Sequence, residues 1–204
     1  MILIDASELE KLEKKLDGIP KGVPKVIKSA LKETSKRSGK KISDVIRDEY
    51  HLESKVSSIK EAISSKGPDG SGDEVSATII VKSGATPLKD FKHSPKKMTF
   101  GRGKTLTATV KKGGGGAIPG AFKSVMRSGH TGIFKRMNGK FMAKTNVRGP
   151  YKGMQTRQAI DEAFGPSIAA MASSETSRPK IEEHIQETFE KRLDHHVERL
   201  LGGN

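Results

Sequence analysis

Positive charge is concentrated in the middle of this 204-residue chain. Residues 82–152 contain 17 Lys or Arg and a single acid, Asp90, so this segment has a formal charge of +16. The whole chain has +14, and the remainder therefore sums to −2. We interpret the chain as a nearly neutral frame around a strongly basic middle, and we expect an anionic partner to bind to that middle.

The composition limits the size of the hydrophobic core. The chain is long enough for a single domain over 1–204, but only 33% of its residues are apolar and 4% are aromatic. The core is therefore expected to be modest, and neighbouring subunits could supply part of the burial. The absence of Cys excludes disulfides, thiolate catalysis and Cys-ligated zinc. No apolar stretch approaches the roughly 20 residues of a membrane span, which predicts a soluble, unexported protein without a membrane partner.

Residues 1–66 are predicted to be mainly helical. Apolar spacing indicates, in chain order, a short strand over Met1 to Ile4, a helix bearing Leu9, Leu12 and Leu16, a long helix from Val23 to about Tyr50, and a short helix from about Ser54 to Ile63. The middle of the long helix, residues 34–41, offers little to bury and is a candidate for a bend. The composition changes at Gly67 to Gly72, which we interpret as the break before a β-rich middle.

Residues 73–152 are predicted to form a basic, β-rich region with mobile loops. Leu88 and Phe91 are expected to enter the core from a tight connection, and the segment from His93 to Lys104 is expected to be a mobile loop. Alternating apolar residues indicate two strands, at Val75 to Val81 and at Thr105 to Val110.

The stretch from Ala117 to Arg136 is predicted to form a β-hairpin. Gly113 to Gly116 precede it and are interpreted as a flexible lead-in. Two short extended runs, Phe122 to Met126 and Gly132 to Phe134, are separated by Ser128-Gly129-His130, which is typical of a Gly-containing hairpin loop. Because the links between strands are too short for helical crossovers, we expect about four or five mostly antiparallel strands.

Residues 165–201 are predicted to be helical. Gly165-Pro166-Ser167 is interpreted as the start of a short helix, and a final helix is expected from about Pro179 to Leu201. Apolar residues form a stripe along this final helix, and the stripe either packs on the protein's own sheet or forms a subunit interface. These elements together define an α+β fold, with N-terminal helices and a long C-terminal helix packed around a small, mostly antiparallel sheet. The stripe residues of the final helix repeat every four positions: Ile181, Ile185, Phe189, Leu193, Val197 and Leu201.

The His and acidic residues of the sequence do not form a pattern typical of an enzyme or a metal site. His184, His195 and His196 lie on the final predicted helix without the spacing of a zinc motif. His130, at the predicted hairpin tip, has no nucleophile or carboxylate near it in the sequence. Asp90 alone cannot support two-metal hydrolysis in the basic middle. No catalytic residue, cofactor or metal is therefore predicted.

Basic residues in and near the hairpin are the candidate binding residues. A basic surface with few aromatic side chains favours contacts with a phosphate backbone over reading of bases. An acidic protein neighbour is the alternative that the sequence leaves open. The candidate DNA-facing or partner-facing residues are Lys111, Lys112, Lys123, Arg127, His130, Lys135 and Arg136.

Several short motifs follow one another along the chain. They are Gly18-Ile19-Pro20-Lys21-Gly22-Val23-Pro24-Lys25, Ile46-Arg47-x-x-Tyr50, Thr86-Pro87-Leu88-Lys89-Asp90-Phe91, Ala117-Ile118-Pro119-Gly120-Ala121-Phe122, Met126-x-Ser128-Gly129-His130-x-Gly132-Ile133-Phe134-x-Arg136 and Gly165-Pro166-Ser167. In this order they resemble the prophage minor tail protein Z family, the tail-completion proteins of long-tailed bacteriophages. The Arg-rich run that typically leads to the Gly-Pro-Ser element of that family is replaced here by the less basic residues 154–164.

The resemblance implies a structural virion protein of the phage tail or neck, without catalytic residues. Such a protein completes the head-proximal end of the tail and enables head-tail joining, as a homo-oligomeric ring. The implied partners are tail terminator, tail tube or head-completion proteins, and DNA in the channel through phosphate contacts. The implied location is the virion, and the host cytoplasm during assembly. A non-specific, backbone-contacting nucleic-acid-binding protein is the alternative function.

Overall fold

A computed structural model describes residue 14 and residues 22–53, 56–71, 74–97, 105–141, 150, 152–153 and 158–202. Helices are combined with antiparallel sheets, and a long helix lies near the C-terminus, which confirms the α+β class. The chain divides into two compact units. The single domain expected over 1–204 stays a prediction. The strand expected at residues 1–4 and the helix bearing Leu9 to Leu16 lie outside the described residues, apart from Lys14.

The first unit contains helices and one hairpin. It includes the described residues of Met1–Glu49, Lys55–Ser83 and Ile168–Asn204. The predicted long helix, the short helix after Gly165-Pro166-Ser167 and the final helix are confirmed, each with ends within a few residues of the expected ones. The elements are α1 (Gly22–Glu49), α2 (Val56–Glu61), β1 (Ile63–Ser71), β2 (Glu74–Val81), α3 (Ile168–Ala172) and α4 (Ser177–Leu201).

The core of this unit lies where α1 packs on α4. Because apolar residues recur at helical spacing on both helices, each presents one apolar stripe to the other. The six side chains of this cluster are buried: Val26, Ile27, Ala30, Phe189, Leu193 and Val197. Full burial of a large apolar side chain contributes about 1.5–3 kcal/mol, so this cluster is a main source of stability for the unit.

This packing corrects the interface alternative for the stripe of α4. Ile181, Phe189, Leu193 and Val197 are buried within the chain, Ile185 is half-buried, and only Leu201 at the helix end is exposed. Side chains that already contact α1 cannot form a subunit interface while the two helices remain packed. The stripe therefore belongs to the protein's own core, where it packs mainly on a helix rather than on the sheet that the sequence suggested.

The middle of α1 buries more than the prediction allowed. The helix is continuous through residues 34–41, and one side of this polar part is buried: Thr34, Ser35 and Ser38 have at most 9% of their surface exposed. Ser38 Oγ donates a hydrogen bond of 2.7 Å to the Thr34 carbonyl oxygen, so its hydroxyl is satisfied within the helix. A Cβ at Gly39 would lie 3.8 Å from Ile63 of β1. Because this is an ordinary van der Waals distance, α1 at Gly39 lies beside the Ile63 side chain with room for a methyl group.

The composition break at Gly67 to Gly72 lies mostly within a strand. β1 begins at Ile63, inside the region predicted to be helical, and pairs with β2 in antiparallel register. The register shifts between Lys66 and Asp69. Because Pro68 has no N–H to donate to the ladder, a shift at this position lets the strand continue past it. The Gly and Pro residues at 67–72, which were interpreted as the break between the helical part and the β-rich middle, therefore belong to an irregularity within a β-strand.

The second unit is built from short strands. It includes the described residues of Tyr50–Ser54 and Gly84–Ser167. Its elements are β3 (Thr86–Pro87), a 3-10 helix (Leu88–Asp90), β4 (Lys92–Ser94), β5 (Leu106–Thr109), β6 (Gly116–Ile118), β7 (Ala121–Val125), β8 (Thr131–Phe141), β9 (Gln158–Glu162) and β10 (Phe164–Gly165).

The sheets are antiparallel, as predicted, but they are smaller and more numerous. Within the described residues the strand orders are β1–β2, β10–β3, β4–β5–β6 and β7–β8–β9. His93, expected to begin a mobile loop, is a buried residue of β4, and residues 98–104 lie outside the described part. Gly116, expected in a flexible lead-in, pairs with Ala108 in β6. Strands β9 and β10 were not predicted.

Leu88 and Phe91 are buried as predicted, and the structure shows what packs on Phe91. β3 pairs with β10, with Thr86 opposite Gly165. A Cβ at Gly165 would lie 2.5 Å from the edge of the Phe91 ring, which leaves room only for glycine unless the ring moves. Two motifs far apart in the sequence therefore meet at this contact.

Glu33 of α1 faces two basic side chains of α4. Arg192 Nη1 lies 3.5 Å from Glu33 Oε2, and His196 Nε2 lies 3.4 Å from Glu33 Oε1 without forming a hydrogen bond. Burial lowers the pKa of the His196 imidazole below its ordinary value, the Glu33 carboxylate opposes this shift, and Arg199, His195 and Arg192 add to it. A buried neutral His is therefore favoured in the folded state.

Phe189→Ala should destabilise the protein by about 3–5 kcal/mol, because it opens a cavity in the α1–α4 core. Leu201→Ala, on the same helix but 53% exposed, should change stability by less than about 1 kcal/mol. Urea unfolding followed by circular dichroism measures both. Equal effects of the two substitutions would contradict the assigned core.

Stability should fall as the pH is lowered through about 6.5, because the unfolded chain then takes up a proton that folded His196 does not bind. The loss should continue until the lowered pKa of the folded state is passed. His196→Gln should reduce this slope, whereas His195→Gln, which removes an exposed imidazole, should retain most of it. Urea midpoints from pH 7.5 to 5 measure the slopes, and an unchanged slope in His196→Gln would contradict the assignment.

Candidate functional site

The predicted basic hairpin is present. β7 and β8 pair in antiparallel register, with Phe122 opposite Phe134. At the tip, the Met126 N–H donates to the His130 carbonyl oxygen at 2.7 Å, and the Gly129 N–H donates to the Met126 carbonyl oxygen at 2.8 Å. Gly129 has φ +84°, a conformation that glycine adopts without strain. The turn chemistry inferred from the sequence is therefore confirmed.

Two features of this sheet were not predicted. β8 continues to Phe141, well beyond the expected end at Phe134, and β9 pairs along it. The register places Glu162 opposite Phe134 and Asp161 opposite Lys135. Because cross-strand partners share a face of the sheet, β9 brings two acids to a hairpin that carries none in its own sequence.

Aromatic rings and Arg136 cluster on one face of the hairpin. The Phe122 and Phe134 centroids lie 6.2 Å apart, and the His130 ring meets Phe134 edge-on at 6.3 Å. The Arg136 guanidinium carbon lies 5.3 Å from the Phe122 centroid, which is a cation–π geometry. The Phe122 ring therefore contacts both a second aromatic ring and a cation.

His130 has a carboxylate partner after all. Its Nε2 lies 2.9 Å from Glu162 Oε2, although 32 residues separate the two in the sequence. Glu162 is only 17% exposed, and its other oxygen, Oε1, is buried without a hydrogen-bond partner in the described structure. A Cβ at Gly132 would lie 2.6 Å from that oxygen, so glycine makes room for the carboxylate. No carboxylate is near His130 in the sequence, and folding supplies one from β9.

The Lys123 ammonium group makes contacts within the protein and is not freely available to a partner. Its Nζ donates to the Lys96 carbonyl oxygen at 2.9 Å and lies 3.1 Å from His93 Nε2. His93 Nδ1 lies 2.8 Å from the Phe91 carbonyl oxygen, which can only accept. The imidazole proton is therefore on Nδ1, and Nε2 accepts a hydrogen bond from the Lys123 ammonium group.

The other candidate basic residues are on the surface. Lys135 lies opposite Asp161, which is also exposed, while Arg127 lies at the hairpin tip. Lys135 and Arg136 line a depression of about 430 Å³ beside β9. The exposed candidates are Lys111, Lys112, Arg127, His130, Lys135 and Arg136.

The described residues contain no group of three or more His, Cys, Asp or Glu side chains that could hold a metal ion. In this part of the chain, the His130 ring lies within hydrogen-bond distance of Glu162 and meets Phe134 edge-on. None of the described helices combines the length and apolar character needed to cross a membrane.

The sequence reasoning missed a second group of basic side chains, on α1. Lys36, Arg37, Lys40 and Lys41 lie within the part of that helix that was considered weak. The net charge of the chain outside residues 82–152 gave no sign of them, because acidic residues elsewhere in that part offset their positive charge. Their i,i+4 spacing, which places like charges side by side on a helix, is the signal that could have revealed them.

Comparison of the chain with protein-family models, with curated protein sequences and with solved structures found no match.

Gly132→Ala should destabilise the protein by about 1–3 kcal/mol, because the new methyl group displaces the Glu162 carboxylate and the Phe134 ring. Gly116→Ala is the matched control, since Gly116 is also in a strand but has open space around its missing Cβ. That control should change stability by no more than about 0.5 kcal/mol. Thermal or urea unfolding compares the two, and similar small effects would contradict the packing at Gly132.

Proposed function

We propose that the protein is a structural, non-catalytic virion protein that completes the head-proximal end of a phage tail and enables head-tail joining as an oligomeric ring. Besides the order of the motifs in the sequence, one observation of the structure supports this proposal. The later motifs, which are separated by up to about 80 residues in the sequence, pack together in the second unit: Thr86 opposite Gly165, Phe91 against Gly165, and Phe134 opposite Glu162 in the strand just before. This convergence supports reading the motifs as parts of one fold rather than as chance matches.

The hairpin is the surface that the proposal assigns to partners. Its tip and β8 present Arg127, Lys135 and Arg136, and it is stabilised by the Phe122–Phe134 contact and the His130–Glu162 pair. Exposed cations on this hairpin suit an acidic face of a tail terminator, tail tube or head-completion protein, or DNA in the channel. The proposal gives Lys123 no such role, because its ammonium group is engaged inside the unit.

Cryo-electron microscopy of assembled particles tests the ring directly. Density that fits this chain in a closed ring between head and tail is the expected result. Particles whose head-proximal tail end holds no such density would overturn the proposal.

Arg127→Glu combined with Lys135→Glu should block joining, because the reversals repel an anionic partner without removing a buried contact. Free heads and free tails should accumulate and joined particles should fall, as counted by negative-stain microscopy. Lys25→Glu combined with Lys82→Glu reverses two exposed charges of the first unit and should leave joining unchanged. Normal joining with the hairpin variant would show that the hairpin is not the partner surface.

A further inference from the structure

Two depressions in the first unit are lined by cations of α1. The larger, of about 610 Å³, is bordered by α1 and α4 and includes a single acid, Asp44. Its cations are Lys36, Arg37, Lys40, Lys41, Lys191 and Arg192. The smaller, of about 280 Å³, includes Lys60 and no acid. Since Lys36 and Lys40 line both depressions, the two form one continuous basic surface.

The charge of this surface comes from α1 and α2. Lys191 Nζ lies 3.7 Å from Glu187 and Arg192 lies 3.5 Å from Glu33, so the cations of α4 are partly neutralised. By contrast, no ion pair within the described residues involves the remaining lining cations. We name these five residues the α1 basic band: Lys36, Arg37, Lys40, Lys41 and Lys60.

Helical geometry holds the band's charges close together. Lys36 and Lys40, like Arg37 and Lys41, are four residues apart, which is about 6 Å along a helix axis. Like charges at this spacing destabilise a helix by about 0.2–0.5 kcal/mol per pair. Lys36, Arg37 and Lys40 are also exposed. An anion bound over α1 would relieve this repulsion, so the surface favours a negatively charged ligand.

From these observations we infer that the α1 basic band binds the phosphate backbone of nucleic acid without reading base sequence. The band extends across two depressions, which suits an extended polyanion better than a single small anion. Ser64 and Ser65, which are exposed, line the smaller depression, and hydroxyl groups commonly donate to phosphate oxygens.

The composition of the two linings argues against an acidic protein as the occupant. Protein–protein interfaces are anchored by aromatic residues and Arg and are depleted in Lys. Here Lys outnumbers Arg, and neither lining contains Phe, Tyr or Trp. Stacking platforms for bases are absent from the same linings, which is why only backbone contact is inferred. This site lies outside the hairpin and does not depend on the proposed virion role.

Fluorescence anisotropy with the purified full chain and a labelled 20-base-pair duplex tests the inference over a range of KCl concentrations. Each phosphate contact contributes about 0.9 to the slope of log K against log salt. Lys36→Gln combined with Lys40→Gln should therefore reduce the magnitude of that slope by about 1.8 and weaken binding at low salt. Both side chains are exposed, so the variant should fold, which circular dichroism verifies.

Lys25→Gln combined with Lys82→Gln is the control, because it removes the same charge from exposed positions of the same unit outside the band. Its slope should stay close to that of the unsubstituted protein. Equal slopes for the band variant and the control, or absence of DNA binding at low salt, would overturn the inference. The inference would also be overturned if poly-glutamate displaced the labelled DNA as efficiently as unlabelled duplex of equal charge does. That result would indicate that the band binds an acidic protein. Particle assembly is not measured here, so failure of this test and failure of the ring proposal remain distinguishable.

Discussion

The contact between α1 and α4 is the interaction on which the first unit depends. With only a third of its residues apolar, the chain concentrates its burial in a few places, and the cluster of Val26, Ala30, Phe189 and Leu193 is one of them. The sides of both helices that face solvent are polar. The cations of α1 and the Glu33 contacts to α4 therefore lie at the rim of a core that could not have contained them.

The second unit depends on close approach rather than on a large core. Phe91 is fully buried and packs against the backbone at Gly165, where a larger residue would collide with its ring. In the same way, the absence of a side chain at Gly132 makes room for the Glu162 carboxylate and the Phe134 ring. Short motifs such as Thr86-Pro87 and Phe164-Gly165 are thus packing and pairing elements. The resemblance based on them is a statement about architecture, and the proposed function adds the exposed cations of the hairpin to it.

Charge has a different meaning in each unit. In the second unit the positive charge is evident from the sequence, because many basic residues occur in one segment that contains few acids. In the first unit it arises from folding, since the α1 basic band combines residues of α1 and α2. A net charge summed over a segment cannot detect such a surface, because the sum does not record where each charge lies on the folded surface.

The sequence by itself determined the α+β class, the two long helices, the burial of Leu88 and Phe91, and the hairpin turn at Gly129. Each follows from local periodicity or turn chemistry, which acts within a few residues. Only the tertiary structure decided the partner of the α4 stripe, the strands β9 and β10, the engagement of Lys123 and the pairing of His130 with Glu162. These depend on contacts between residues as many as about 160 positions apart, which local patterns do not encode. Long-range packing therefore selected which of the charges that the sequence offers remain available to a partner.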